Sequence, residues 1–155
     1  ESQLVRKSSE LEKCSALILP GGESTTISLL LQENGLYEPI KTFAENHPVM
    51  GVCAGMIMMA SKVDDERITP LGLMPFKALR NYYGRQVYSF TADIKLSFDS
   101  NTFTAPFIRA PGIEELSPEV DVLATNNEKV VMIGKGKHLA LTFNPELTED
   151  TRLHQ

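Results

Sequence analysis

The chain has 155 residues, 42% of them hydrophobic, and a formal net charge of −5. That length suits one domain whose core buries roughly two-thirds of the unfolded surface. The acidic balance, with no basic run, excludes nucleic acid and anionic membrane as partners, and no apolar stretch is long enough to span a bilayer.

In chain order, the segment Glu1-Ser2-Gln3-Leu4-Val5-Arg6-Lys7 opens the sequence without an initiator methionine. Leu153-His154-Gln155 ends it without a closing helix, so both ends read as cut. Ser15-Ala16-Leu17-Ile18-Leu19 reads as a short buried parallel strand. Pro20-Gly21-Gly22-Glu23-Ser24 breaks it. Ser24 is the expected N-cap of a helix with Ile27, Leu30 and Leu31 on one face. Glycines just before a helix can cradle an anion, yet the GxGxxG and GxxxxGK nucleotide patterns are both missing. Gly21-Gly22 therefore reads either as a close approach to a small ligand or as a plain turn. Asn34-Gly35 ends the helix. A second helix carries Leu36, Ile40, Phe43 and Ala44 at i, i+4, i+7, i+8, and His47-Pro48 stops it.

Next comes the stretch 48–59. Residues 49–52 form an apolar run punctuated by glycine, hence a strand. Met56, Met59, Ala60 and Val63 recur at i, i+3, i+4, i+7, hence a helix. Between them, Gly51-Val52-Cys53-Ala54-Gly55 has the form of a nucleophile elbow with cysteine in place of serine. Glycine on both sides relieves crowding at a strained corner. A helix N-terminus would favour the thiolate of Cys53. The plain alternative is an inert cysteine in a strand-to-helix turn.

Asp64-Asp65-Glu66-Arg67 reads as a charged surface loop. Residues 71–79 are apolar with Gly72 and Pro75, residues 80–86 are polar and aromatic, and residues 87–96 alternate. This texture predicts antiparallel strands and loops inserted into an α/β unit. Residues 104–108 form a strand with Arg109-Ala110-Pro111-Gly112 at its end. Strand C-terminal ends carry ligand groups in α/β sheets, so Arg109 is either a carboxylate holder or a surface arginine. Further strands are expected at 120–124, 129–133 and 139–143. Gly134-Lys135-Gly136-Lys137 is a hairpin turn between the last two, since no helix follows it. The alternation of strands and helices predicts a parallel α/β core. The two cysteines give no disulfide framework, and the cysteines and three histidines show no metal-ligand spacing. No signal peptide is visible, so a reducing, cytoplasmic setting fits.

Five segments now occur in one order: 19–26 (LPGGESTT), 51–55 (GVCAG), 80–86 (RNYYGRQ), 107–111 (FIRAP) and 143–148 (FNPELT). Together they closely resemble the glutaminase subunit of pyridoxal 5′-phosphate synthase, the PdxT/SNO family of class I glutamine amidotransferases. The resemblance runs from about Cys14 to the end. It implies one glutaminase domain over 1–155, with a class I glutaminase-like (flavodoxin-like) mixed sheet flanked by helices. The family's opening strand, roughly IGVLALQG, and its last helix have no counterpart here, so the domain is expected to be incomplete.

The resemblance also implies an activity. Glutamine is hydrolysed to glutamate and ammonia, and the ammonia passes to a (β/α)₈ synthase partner in a hetero-oligomer. On this reading Cys53 is the nucleophile and Glu146 the third member of the triad. Gly22, Glu23, Ser24, Arg80, Ile108 and Arg109 hold L-glutamine, and the N–H groups of Gly22 and Ala54 form the oxyanion hole. No metal or organic cofactor is implied, because pyridoxal phosphate would be the partner's product.

One departure is chemical. The family's catalytic histidine position is occupied by Asn144, whose amide can hydrogen-bond but cannot take the thiol proton. His138 lies roughly 17–20 Å of extended chain before that position. His47 precedes the strand that leads to Cys53, so both histidines belong at the wrong end of the sheet. His154 lies beyond the site. Asn144 is either engineered, as a substrate-trapping change, or natural, and the intact surroundings favour engineering. The alternative function is a non-catalytic, glutaminase-like binding or regulatory subunit of a synthase. A third is other cysteine chemistry on the same scaffold, such as a peptidase, against which Gly21-Gly22-Glu23-Ser24 and Arg109 argue.

Overall fold

A computed structural model describes residues 1–83 and 89–155. Among the described residues ten strands form two sheets. The larger has the order β1-β2-β10-β9-β8-β5-β6, and the smaller is β3-β4-β7. β1 (Leu17–Leu19) and β10 (His138–Leu141) flank β2 (Val49–Val52), both parallel to it. From β10 outwards the pairing is antiparallel, through β9 (Lys129–Lys135), β8 (Asp121–Asn126), β5 (Ser89–Leu96) and β6 (Thr102–Ile108). The small sheet joins β3 (Ala60–Val63) in parallel to β4 (Met74–Leu79), which pairs antiparallel with β7 (Gly112–Glu114). The sheet is thus mixed and flanked by helices, as expected. Among the described residues no helix is long and apolar enough to cross a membrane.

Two apolar cores lie against the large sheet. One gathers Ile40 and Phe43 of α3 (Tyr37–Asn46), Met56, Met58 and Met59 of α4 (Ala54–Met59), and Phe76 of β4. The other gathers Phe103 and Phe107 of β6, Met132 of β9, and Phe143 just past β10. Alternation along β2 divides its side chains between them: Val49 joins the first, Met50 and Val52 the second.

Several elements differ from their sequence-based expectations. The helix after the elbow ends at Met59, and residues 60–63 form β3 instead of its last turn. Only Ala60 and Val63 of the helical pattern fall in this segment, which as a strand buries Ala60 and exposes Ser61 and Lys62. Pairing with β4, and a hydrogen bond from Ser61 Oγ to the Phe76 carbonyl (3.0 Å), decide between the two. The N-cap of α2 (Ser24–Glu33) is Glu23 and not Ser24; its longer side chain reaches the Thr26 N–H at 2.9 Å. The buried residues of α2 are Ser24, Ser28 and Leu31, while Leu30 is exposed. Tyr37 draws Ser28 inwards by meeting its hydroxyl at 2.8 Å. A short helix, α1 (Ser8–Leu11), had no sequence signal beyond Glu10, whose carboxylate accepts from the N–H groups of Arg6 and Lys7.

The hairpin between β9 and β10 is present, with its turn tightened to Gly136 and Lys137. The expected strand beginning at Val87 starts, in the described part, at Ser89. Residues 84–88, including Gly84-Arg85-Gln86 of the RNYYGRQ segment and Val87, lie outside the described residues.

Candidate active site

β2 runs directly into the corner. Cys53 takes φ 52° and ψ −108°, a conformation L-residues rarely adopt, and α4 starts at the next residue. Three contacts hold that backbone: Cys53 N–H donates to the Leu141 carbonyl (2.8 Å), Ile57 N–H donates to the Cys53 carbonyl (3.2 Å), and Cys53 Sγ faces the Ile108 carbonyl at 3.7 Å. The flanking glycines are required by close approach. A Cβ on Gly55 would lie 1.9 Å from the Leu19 carbonyl oxygen, and one on Gly51 would lie 2.5 Å from Met59 Sδ. Strand, helix and neighbouring strand therefore meet with no room for a methyl group.

β10 delivers the second group. Phe143 is buried against Phe103 and Phe107, and the next residue, Asn144, donates its N–H to the Pro106 carbonyl at 2.8 Å. Its Nδ2 donates to Glu146 Oε1, also at 2.8 Å. Asn144 is only 7% exposed, and its Oδ1 is buried with no hydrogen-bond partner among the described residues. Glu146 sits on a 3₁₀ turn, Pro145–Leu147, with proline at its start. Gly21 touches all three groups: a Cβ there would lie 3.1 Å from Asn144 Nδ2, 3.7 Å from Cys53 Cβ and 3.9 Å from Glu146 Oε1.

The electrostatics differ from the thiolate expected at a helix N-terminus. Burial pushes the Cys53 thiol up; the Ala54 N–H pulls it down by less, and the Glu146 carboxylate adds the smallest push, upward. Cys53 is 9% exposed, and the single N–H at the start of the six-residue α4 does not outweigh that burial. Cys53 is therefore a thiol near neutral pH.

A charged cluster lies on the far side of loop 21–24. Glu23 Oε2 accepts from the Thr26 N–H and from the hydroxyls of Thr25 and Thr26, and its Oε1 accepts from Arg80 Nη2. The Thr25 hydroxyl is the largest influence holding the Glu23 carboxyl down to about 2. Arg80 also donates from Nη1 to Asp65 Oδ2 (2.8 Å) and from its main-chain N–H to Asp64 Oδ1 (2.8 Å).

Of the residues singled out in the sequence, Cys53, Asn144, Glu146 and Ile108 meet at the corner, and Ala54 opens α4 there. Gly22, at φ 142°, links Gly21 at the corner to Glu23 beside Arg80. Ser24 is buried as the first residue of α2. Arg109 follows Ile108 at φ 43° and is exposed. His138 and His47 lie at the opposite end of the sheet. His138 Nδ1 accepts from the Val49 N–H at 3.1 Å, and His47 stacks on Phe43. His154 is exposed on the C-terminal 3₁₀ turn, Arg152–His154. Of the two sequence readings of Gly21-Gly22, the close packing of Gly21 against Asn144 and Cys53 favours a close approach over a plain turn. The sequence reading missed Asp64 and Asp65, for which the charged loop gave no signal. Among the described residues no group of three or more His, Cys, Asp or Glu could hold a metal ion.

The model of the SNO glutamine amidotransferase family matches residues 1–155. A pyridoxal 5′-phosphate synthase subunit PdxT from Oenococcus oeni is 42% identical over 155 residues, covering 100% of this chain and 81% of that protein. One from Thermococcus kodakarensis is 48% identical over 157 residues, covering 97% and 79%. A crystal structure of a glutamine amidotransferase superposes with a TM-score of 0.93 at 41% identity, covering 99% of this chain and 82% of that one. Another glutamine amidotransferase, from Thermotoga maritima, shares the fold at a TM-score of 0.58 and 16% identity. With its elbow, its loop 21–24 and its matched length, the chain belongs to the SNO glutamine amidotransferase family.

Proposed function

We propose that the protein is the glutaminase subunit of a pyridoxal 5′-phosphate synthase, built to release ammonia from L-glutamine and carrying a disabled proton acceptor. The family membership and the PdxT relatives support the activity and the synthase partner, and we place the protein in the cytoplasm with them. The observation that carries the disabled reading is the Asn144–Glu146 hydrogen bond beside Cys53.

In the full reaction, Cys53 Sγ attacks the side-chain carboxamide carbon of glutamine, and the N–H groups of Gly22 and Ala54 receive the developing oxyanion. Collapse of that intermediate expels ammonia and leaves a γ-glutamyl thioester, which water hydrolyses to glutamate and free thiol. Two proton movements are needed: the thiol proton must leave sulfur, and the departing nitrogen must gain one. A histidine at 144 could donate one ring N–H to Glu146 and use its other nitrogen for both transfers. Asn144 reproduces only the first half. Its Nδ2 engages Glu146, and the atom left over is an amide oxygen, which accepts a hydrogen bond but not a proton at neutral pH. The chain is thus suited to hold glutamine rather than to cleave it. Glu23, Ser24, Arg80, Ile108 and Arg109 are assigned to glutamine binding, with loop 21–24 and the end of β6 as the two sides of the subsite.

Ammonia release from glutamine, measured with the (β/α)₈ synthase subunit present, tests this. Asn144→His is expected to raise the rate by roughly 10³-fold or more, the scale on which triad bases act. Equal rates in the two proteins would remove the triad assignment. A second reading, a non-catalytic subunit that docks on a synthase, draws on the same Asn144. It requires that glutamine give Cys53 no protection from alkylation, whereas the trapping reading requires protection.

A further inference from the structure

The loop after β3 carries Asp64 and Asp65, and both accept a hydrogen bond from Arg80. Asp64 Oδ1 accepts from the main-chain N–H of Arg80 at 2.8 Å and so fixes the start of that residue. Asp65 Oδ2 accepts from Arg80 Nη1 at 2.8 Å and so fixes its far end. Held at both ends, the guanidinium turns Nη2 onto Glu23 Oε1, in the loop between β1 and α2. Asp65 is well covered, its side chain 14% exposed, and it also accepts from Arg67 Nε (2.9 Å) and Nη2 (2.6 Å), on the outer side of the contact. Arg67 is mostly exposed, at 69%.

We infer that Asp65 is a positioning residue for the glutamine subsite: it aims the Arg80 fork, and through Glu23 it sets loop 21–24 against Cys53 and Asn144. The inference rests on the glutaminase reading for the identity of the ligand, and on geometry alone for the positioning.

The physical basis is the rigidity of the guanidinium. Its donors lie in one plane, so anchoring Nη1 fixes where Nη2 points, which a flexible ammonium would not do. Loop 21–24 has little else to set it laterally. Gly22 adopts φ 142°, where a side chain is strained, and Gly21 supplies no side chain. The Glu23 carboxylate is therefore the handle by which the loop is held, by the Thr25 and Thr26 donors on one oxygen and by Arg80 on the other. Misplacing such a loop by a fraction of an ångström is costly, because ligand groups and oxyanion donors must be in register.

The experiment uses the chain as it is, with Asn144 in place, so that glutamine binding is read without turnover. Binding is measured by titration calorimetry, and the amide exchange of residues 21–24 by hydrogen–deuterium mass spectrometry. Asp65→Asn is expected to weaken glutamine binding by about tenfold or more and to speed loop exchange, with a melting temperature close to the parent's. Asp65→Glu, which retains a carboxylate, is expected to recover most of the affinity. Arg67→Ala, which removes only the outer partner, is expected to leave both readouts near the parent's. Unchanged binding and unchanged exchange in Asp65→Asn would overturn the inference, as would a loss of affinity that follows the melting temperature across the three variants. If the parent binds no glutamine but Asp65→Asn still loosens loop 21–24 while Arg67→Ala does not, the positioning stands and the glutamine reading falls.

Discussion

At the scale of single residues, the site is defined by a neutral side chain placed between two groups that could carry charge. Asn144 donates to Glu146, yet it gives Cys53 no positive neighbour. Burial and the Glu146 carboxylate both disfavour the thiolate. Alkylation of Cys53 by iodoacetamide should therefore rise with pH through a midpoint above the ordinary thiol value. Asn144→His should shift that midpoint down and speed alkylation at neutral pH, because an imidazolium beside the sulfur stabilises the anion. A midpoint that does not move would separate position 144 from Cys53 electrostatically. Gly21 sharpens the picture, since its missing side chain lets loop 21–24 close onto both groups.

At the scale of elements, the β1, β2 and α4 junction is the tightest point described. A methyl on Gly55 would meet the main-chain oxygen of Leu19, which cannot swing aside as a side chain can. Gly55→Ala is expected to destabilise by about 3 kcal/mol or more, or to prevent folding, as read from the urea midpoint. The opposite end of the same strands has a different sensitivity. His138 Nδ1 accepts from the Val49 N–H and thereby ties the start of β10 to the start of β2. Burial, with Lys137 next, holds its pKa below the usual value, while the Ala44 carbonyl works the other way. The unfolded chain takes up a proton first as pH falls below the ordinary histidine value. The stabilising contribution is therefore complete above that value and is lost as pH drops through the lower folded one. His138→Gln, which keeps an acceptor, should flatten the fall in melting temperature as pH drops below about 6.5. An unchanged slope would exclude His138 as its source.

At the scale of the whole molecule, much of the fold was legible because apolar runs end at glycine and proline. β2 and α3 lie where those boundaries put them, and β1 within two residues. Residues 60–63 were misread because two apolar positions, Ala60 and Val63, are too few to separate a last helical turn from a short strand; only β4, whose paired residues lie 14–15 positions further on, separates the two. The elbow and loop 21–24 were legible because close approach demands glycine, and glycine shows in a sequence. The Arg80–Asp65 contact was not, since two surface charges 15 residues apart make no pattern. The C-terminal turn is likewise secured at long range. Arg152 pairs with Asp99 at 2.7 Å and donates to the Thr102 carbonyl at 2.8 Å, closing the last residues over β6.

The corner at Cys53 has a consequence for the history of the molecule. Alanine ordinarily outperforms glycine in a fold by about 0.5–1 kcal/mol, but at φ 52° the order should reverse. Cys53→Gly is expected to melt at or above Cys53→Ala, and a clearly lower value would show that the backbone there is unstrained. If the reversal holds, every generation without use for the thiol would have had glycine as the more stable choice at this position. On the proposed reading, a cysteine kept at this corner is held there by demand for its sulfur and not by the comfort of its backbone.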